Sequence, residues 1–291
     1  MRVLVAGRSG AVGRQLVPSL VSAGHEVTGT ARTTAGVERI RNLGATGVQV
    51  DALDPEELRR TVVAARPETV IHQLIDLSAA DGAANGRIRR EGTRNLVDAA
   101  KAAGVGRIVV QSISWAYGPG ETPADERDPL DTTTAGPRAR MVAAVRALEE
   151  TAAELDTAVV LRYGLLYGPG TWYAPDGALA TALTGDRSAA FLGSTVANDA
   201  VSSFVHVADA AAAALLALDW PPGPVNIVDD DPAPAHTWLP ALAHSLGVPA
   251  PERAAGRQGW ERGALNTLSR SRGWRPVRPT WRTGFADQIE H

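Results

Sequence analysis

The sequence contains no cysteine among its 291 residues. This absence excludes a disulfide scaffold, a thiolate nucleophile and a metal centre with cysteine ligands. We expect no bound metal of another kind either.

Lysine is almost as scarce as cysteine. Lysine and arginine together number 29, and Lys101 is the only lysine. A codon bias toward GC-rich triplets is the simplest explanation. The scarcity still limits the chemistry, because an arginine keeps its proton and cannot replace a lysine amine in proton transfer.

Long apolar runs and a strong excess of one charge are also absent. The longest apolar run, residues 208–218, is too short for a bilayer and contains Asp209. The net charge is −3, which argues against nucleic acid or an anionic membrane as a partner. The chain opens with a strand pattern rather than a secretory leader. We therefore expect a cytoplasmic protein that acts on a small molecule.

What the sequence does contain is a regular alternation of short apolar runs with helical patterns. The predicted strands are 2–6, 26–31, 48–50, 69–74, 107–111 and 157–162, and the predicted helices are 11–23, 36–43, 55–65, 87–103 and 137–155. This alternation predicts an α/β fold, a Rossmann-like doubly wound parallel sheet covered by helices on both faces.

The alternation ends after Arg162 and predicts a second, smaller lobe. Residues 168–202 are rich in glycine, proline and threonine, and strands follow at 203–207 and 224–228, with a helix at 236–246. We predict a dinucleotide-binding domain of residues 1–167 and 199–228. Residues 168–198 and 229–291 would form a substrate lobe over the carboxyl edge of the sheet, where ligands bind in such folds.

A glycine-rich turn links the first predicted strand to the first helix. Its glycines are Gly7, Gly10 and Gly13. They permit a tight turn and a close approach of backbone to a pyrophosphate, and the helix N-terminus favours its charge. The turn and the first helical residues predict a dinucleotide site of Gly7, Arg8, Ser9, Gly10, Ala11, Val12 and Gly13.

The end of the second strand indicates which dinucleotide is preferred. An acidic residue there would bind a ribose 2′-hydroxyl, but the sequence has Arg32 instead. Arg8 in the glycine turn lies on the same side of the predicted site. Two guanidinium groups that clamp one 2′-phosphate predict a preference for NADPH over NADH.

The assembled motifs resemble the extended short-chain dehydrogenase/reductases, the NAD-dependent epimerase/dehydratase family. The resemblance runs through residues 50–54, 70–73, 91–98, 107–118, 161–170, 204–209 and 272–276. It implies further cofactor contacts by Asp51, Ala52, Gln73, Leu74, Ser112, Tyr163, Gly164 and Leu165. It also makes a homodimer through the helices at 87–103 and 137–155 an open alternative to a monomer.

The sequence departs from this family at its proton relay. The family uses a Tyr-x-x-x-Lys pair, in which the tyrosine exchanges the proton, but the only lysine lies on an earlier helix. If the family's acid aligns with Glu149, Met141 and Val145 replace the pair; if it aligns with Glu150, Val142 and Arg146 do. The tyrosine is missing in both alignments.

Other side chains near the predicted cleft are candidates for catalysis and for substrate binding. Ser114 and Tyr117 are the catalytic candidates. The candidates for substrate contacts are Trp115, Met141, Val145, Trp172, Tyr173 and His206.

These departures favour a substrate that needs little help from an acid. We predict an atypical NADPH-dependent oxidoreductase of secondary metabolism that transfers hydride to a quinone-like or aromatic polycyclic carbonyl compound. Two alternatives stay open: a nucleotide-sugar epimerase or dehydratase, and a non-catalytic sensor of NADP(H).

Overall fold

A computed structural model describes residues 1–7, 10–75, 82–186, 189 and 195–287. Two of the predicted cofactor residues, Arg8 and Ser9, lie outside the described residues. Within the described residues, no helix is long and apolar enough to cross a membrane.

The described strands are short and mostly buried. They are β1 (Arg2–Ala6), β2 (Glu26–Ala31), β3 (Thr46–Gln49), β4 (Thr69–His72), β5 (Arg107–Ile113), β6 (Thr157–Tyr163), β7 (Leu165–Tyr167), β8 (Val201–Ser202), β9 (Phe204–His206), β10 (Gly223–Ile227) and β11 (Ala233–Pro234).

The helices alternate with the first strands along the chain. They are α1 (Ala11–Ser22), α2 (Thr34–Arg41), α3 (Pro55–Ala65), α4 (Gly82–Arg87), α5 (Thr93–Ala102), α6 (Gly136–Ala152), α7 (Ala178–Leu183), α8 (Val207–Leu216), α9 (Ala235–Ser245), α10 (Thr267–Ser271) and α11 (Trp281–Asp287). A π-helical turn, Ile88–Gly92, joins α4 to α5.

Seven of the described strands form a parallel central sheet in the order β10-β6-β5-β4-β1-β2-β3. The register pairs Leu4 of β1 with Thr28 of β2 on one side and with Val70 of β4 on the other. The strand order therefore reverses beside β1, which is where ligands bind in open α/β sheets. The predicted doubly wound Rossmann-like fold is confirmed.

Local sequence explains why individual elements begin and end where they do. The carboxylate of Asp54 accepts the Glu57 N–H at 2.9 Å, Pro55 occupies the first turn of α3, and the helix ends at Arg66 in a left-handed conformation. A capping carboxylate satisfies a free N–H at the helix start, and proline has no N–H that would need a partner there.

The chain divides into two compact units, which are described separately. Unit 1 comprises residues 1–112, 132–161 and 211–224, and unit 2 comprises residues 113–131, 162–210 and 225–291. These bounds alternate more often along the chain than the predicted domains, and the predicted domain bounds stay a prediction.

Each unit has its own apolar core. In unit 1 the core packs sheet residues such as Leu4 and Val110 against Leu96 and Leu148 of the helices. In unit 2 it is rich in aromatic rings, with Phe204 in edge-to-face contact with Tyr173, Trp238 and Phe285 at 5.2–5.4 Å. Such ring pairs add stability beyond the area that they bury.

Candidate functional site

The glycine turn of unit 1 follows β1 and leaves no room for a side chain at its first position. Gly7 has a φ of +88°, and a Cβ there would lie 2.3 Å from the carbonyl oxygen of Gln73. Gly10 caps α1, and Ala11, Val12 and Gly13 are buried in its first turn. The start of α1 therefore lies near the carboxyl end of β1, and the first N–H groups of a helix favour an anion.

A groove in unit 1 lies beside this turn, at the carboxyl ends of the strands. Its lining includes five predicted cofactor residues, which are Gly7, Arg32, Asp51, Ala52 and Leu74. Hydrogen bonds hold this shape: the Asp51 carboxylate accepts the Leu53 N–H at 3.0 Å, and Asn95 donates to the Ala52 carbonyl at 2.9 Å. The groove suits the adenosine part of a dinucleotide.

Arg32 lies in this groove just before a capped helix. Its carbonyl oxygen accepts a hydrogen bond from the Gln49 amide at 3.2 Å, and Thr33 caps α2 by accepting the Gly36 N–H at 3.1 Å. A guanidinium and a helix start at one place both favour a dianionic group.

Two buried histidines cap the backbone rather than face either cavity. Nδ1 of His72 accepts the Leu74 N–H at 3.3 Å in unit 1, and Nδ1 of His206 accepts the Ala208 N–H at 3.2 Å in unit 2. Burial lowers the pKa of each to about 4. Both are therefore neutral near pH 7, and His206 is not among the described residues that line the unit 2 cavity.

The predicted contact Ser112 bonds to α6 within unit 1. Its hydroxyl donates to the Glu149 carboxylate at 2.6 Å, whereas the neighbouring Glu150 is exposed and lies 3.4 Å from Arg146. This geometry favours the alignment on Glu149, in which Met141 and Val145 stand where the family has its tyrosine and lysine. Val145 is buried in the core and Met141 is half-buried.

Lys101 cannot take the place of the missing lysine. It lies on α5 within unit 1, where its ammonium group binds Glu154 at 2.6 Å. Its side chain is 44% exposed, so the pair is a surface ion pair of ordinary strength.

Unit 2 contains a cavity of about 270 Å³, and four of the described residues that line it are aromatic. Three predicted substrate residues line it, namely Trp115, Trp172 and Tyr173, and so does Trp260, which sequence reasoning missed. The volume is close to the lower end of the ~300–1,000 Å³ typical of small-molecule sites.

Polar groups in this cavity are few. Ser114 lines it, and so do Ser202 and Glu261. Among the described residues, neither the Ser114 hydroxyl nor the Tyr173 hydroxyl has a hydrogen-bond partner. Both hydroxyls are therefore available to a ligand.

Tyr117 is placed differently from Ser114, although both are catalytic candidates. Its hydroxyl donates to Asn226 at 2.7 Å, and the Arg162 guanidinium stands 4.8 Å from the centre of its ring. Burial raises its pKa to about 12. Within the described part of the chain it is not among the residues that line the aromatic cavity.

The remaining predicted cofactor residues lie at the end of β6 in unit 2. The Tyr163 hydroxyl donates to the Ala210 carbonyl at 3.3 Å, and the Gly164 N–H donates to the Ile227 carbonyl at 3.1 Å. A Cβ on Gly164 would lie 2.6 Å from the Ser203 carbonyl oxygen, and Leu165 lines the aromatic cavity. Gly164 is thus required for close backbone packing.

Comparison with known proteins yields a family and several relatives. Residues 3–227 match the model of the NAD dependent epimerase/dehydratase family. A 3-diazoavenalumate denitrifying reductase from a Streptomyces species is 41% identical over 309 residues, which cover 98% of this chain and 99% of the relative.

A more distant relative and a solved structure are similar over most of the chain. A 2′-dehydrokanamycin reductase from Streptomyces kanamyceticus is 32% identical over 267 residues, covering 86% of this chain and 68% of the relative. The crystal structure of UDP-glucose 4-epimerase from Thermus thermophilus in complex with NAD matches with a TM-score of 0.78 and 26% identity, covering 100% of this chain and 98% of that chain.

Proposed function

The chain belongs to the NAD-dependent epimerase/dehydratase family and is an NAD(P)-dependent oxidoreductase of the short-chain dehydrogenase/reductase type, and we propose that it uses NADPH to reduce an aromatic diazo compound. The observation that carries this proposal is an aromatic cavity in a chain that cannot form the family's Tyr-x-x-x-Lys pair. The diazo group comes from the name of the 41% identical relative.

The residues of unit 1 fit a nicotinamide dinucleotide. Gly7 packs against the Gln73 carbonyl with no room for a Cβ, and the adjoining groove carries Asp51 and Arg32 where an adenosine and its ribose would lie. Arg32 with the capped start of α2 favours a 2′-phosphate, which supports NADPH. The bound cofactor supplies the hydride.

Hydride transfer to an aromatic diazonium group needs no proton from the protein. Hydride adds to the terminal nitrogen of the diazonium group and gives an aryl diazene, Ar–N=NH. The diazene then loses N₂: its C–N and N–H bonds break, and the proton from nitrogen is transferred to the ring carbon to form the new C–H bond. In sum, ArN₂⁺ and NADPH become ArH, N₂ and NADP⁺. A general acid contributes roughly 10²–10⁴ to the rate of a reaction that needs a proton. The missing pair therefore costs the hydride-transfer step nothing.

The quinone-like substrate predicted from the sequence is chemically close to this class. An aryl diazonium with a neighbouring phenol loses the phenolic proton and becomes a quinone diazide. Quinones themselves accept hydride into a delocalised oxyanion, which lowers the need for an acid. The aromatic wall formed by Trp115, Trp172, Tyr173 and Trp260 suits either compound.

Deuterium transfer tests the reaction directly. We would incubate the protein with a stable aryl diazonium salt and with NADPH that carries deuterium at C4 of the nicotinamide. We expect loss of absorbance at 340 nm, release of N₂ and one deuterium on the arene carbon that held the diazo group. Turnover of a quinone alone would move the proposal to the second substrate class. Turnover of nucleotide sugars alone would refute both.

The cofactor preference has its own test. We expect Arg32→Ala to weaken NADPH binding about tenfold, the worth of one lost charge-assisted contact, and to leave NADH binding unchanged. Arg59→Ala is the matched control, because Arg59 is an exposed arginine of unit 1 that pairs with Glu56 on α3. Equal losses for both cofactors would refute the preference.

A further inference from the structure

A carboxylate stands in the wall of the aromatic cavity, and the described part of that wall contains no basic side chain. Glu261 is half-buried there, and among the described residues that line the cavity none is an arginine, lysine or histidine. The Glu261 carboxylate accepts the Gln258 N–H at 2.6 Å, which fixes it close to its own loop. The carboxylate therefore has a defined position at the cavity wall.

The nearest arginines along the chain are engaged elsewhere in unit 2. Arg262 donates to the carbonyls of Gly118 and Thr122 at 3.1 and 3.0 Å and lies 3.3 Å from the Asp128 carboxylate. Arg257 donates to the backbone carbonyl of Glu261 at 3.3 Å. Both guanidinium groups are thus held by other acceptors, and neither is bonded to the carboxylate of Glu261 in the cavity wall.

The rest of the wall also favours a positively charged ligand. The faces of aromatic rings carry partial negative charge, and indole binds cations best of the aromatic side chains. Three of the four aromatic residues in the described part of the wall are tryptophans, Trp115, Trp172 and Trp260. Tyr173 adds a fourth ring, whose phenol is neutral at its ordinary pKa, and burial raises the pKa of the hydroxyl further.

We propose that this cavity selects aromatic ligands that carry a positive charge, with Glu261 and the tryptophans as the selecting groups. The proposal deepens the proposed function and rests on it: the acceptor is bound as its diazonium cation, the form that takes up hydride. A neutral ring of the same shape loses both the attraction to Glu261 and the cation–π contacts. An anionic ring is repelled by the same wall.

Binding of unreactive probes tests this selectivity without any turnover. The probes are the N-methylquinolinium cation and neutral quinoline, added at pH 8 to the full chain saturated with NADP⁺. Quenching of tryptophan fluorescence gives each dissociation constant. We expect the cation to bind about tenfold more tightly, as one ion pair and one cation–π contact would give.

Variants locate the source of the selectivity. Glu261→Gln keeps the shape of the side chain and the oxygen that accepts the Gln258 N–H. We expect it to weaken binding of the cation about fivefold and to leave binding of quinoline unchanged. Glu252→Gln is the matched control, because Glu252 is an exposed glutamate of unit 2 outside the cavity wall. It should change neither constant.

The outcomes separate this proposal from the proposed function. Equal binding of cation and neutral probe, or a Glu261→Gln variant that keeps the full preference, would overturn cation selection even if diazonium reduction occurs. A clear preference for the cation without deuterium transfer would instead leave selection standing and refute the reaction.

Discussion

The groove of unit 1 and the cavity of unit 2 are built by different means. The groove is shaped by backbone: Gly7 turns at a φ of +88° against the Gln73 carbonyl, and the strand ends supply most of the remaining surface. The cavity is shaped by side chains, chiefly Trp115, Trp172 and Trp260. A backbone site tolerates many sequences, provided that its few glycines stay in place.

This difference matches the ligand that we propose for each region. A dinucleotide presents the same phosphates and ribose in every member of such a family, so that N–H groups and a tight turn are sufficient. A substrate ring differs from one enzyme to the next and is recognised by side chains that can be exchanged without disturbing the sheet. The following predictions test that division.

The largest effect is expected from Gly7→Ala. A Cβ at this position would lie 2.3 Å from the Gln73 oxygen and would add the strain of a positive φ. We expect the free energy of unfolding, or the free energy of NADPH binding, to fall by at least about 3 kcal/mol. The reason is that the clashing atoms belong to the backbone, which cannot move aside as a flexible side chain can. Thermal unfolding with and without NADPH measures both.

Gly24→Ala separates the two causes. Gly24 has a φ of +80°, but a Cβ there meets nothing within 4 Å. The free energy of unfolding of this control variant should therefore fall by only about 1 kcal/mol, which is the cost of the left-handed conformation alone. If both variants behave alike, the close approach of backbone at Gly7 contributes nothing to the groove.

Acid should destabilise both units for the same reason, which is that each contains a buried histidine that resists protonation. The pKa values of His72 and His206 are lowered to about 4 from 6.5, so the folded state binds fewer protons than the unfolded state between these values. Stability is then complete above about pH 6.5 and falls as the pH drops toward 4, by up to about 3 kcal/mol for each histidine.

The asparagine variants His72→Asn and His206→Asn keep an oxygen that can accept the same backbone N–H. We expect each to remove its share of the slope of unfolding free energy against pH, measured by urea titration. In unit 2 the buried Asp229 has the opposite effect on stability. Its pKa is raised to about 8, so its protonated form stabilises the folded state at low pH and this contribution is lost as the pH rises. An unchanged slope in His72→Asn would show that His72 is protonated in the folded state.

Sequence patterns predicted the first region almost completely. The bounds of β1, β2 and α3 agree with the structure to the residue, because each is marked by local signals: a run of β-branched residues, or Asp54 followed by a proline. The groove followed from the same signals, since parallel strands bring their carboxyl ends to one edge of the sheet.

The second region was predicted only in part, for a physical reason. Trp115, Trp172 and Tyr173 were recognised beside motifs, but Trp260 lies in a stretch of irregular structure, with no period or motif to place it. Elements such as β8, β11, α7 and α11 were not predicted, because they are two to seven residues long. Their formation depends on tertiary contacts rather than on local propensity.

Trp260→Ala should weaken binding of the substrate and leave binding of the cofactor unchanged. Removing the indole opens the cavity wall, and we expect the KM for an aromatic substrate to rise about tenfold, the effect of losing part of one aromatic contact. Trp260→Phe should restore most of the affinity. A matching rise in the dissociation constant of NADPH would contradict the division between a backbone groove and a side-chain cavity.

The smallest effect is expected from Ser114→Ala, although Ser114 is the catalytic candidate that lies in the cavity wall. If hydride transfer to a diazonium group needs no proton, this hydroxyl only orients the substrate. Its loss should then lower kcat less than about threefold, the effect of one weak neutral hydrogen bond. A fall of about 10²–10⁴, measured with the same diazonium salt, would identify Ser114 as a general acid. Unit 2 would then supply part of the chemistry as well as the shape of the site, because the hydroxyl would be replacing the family's missing tyrosine.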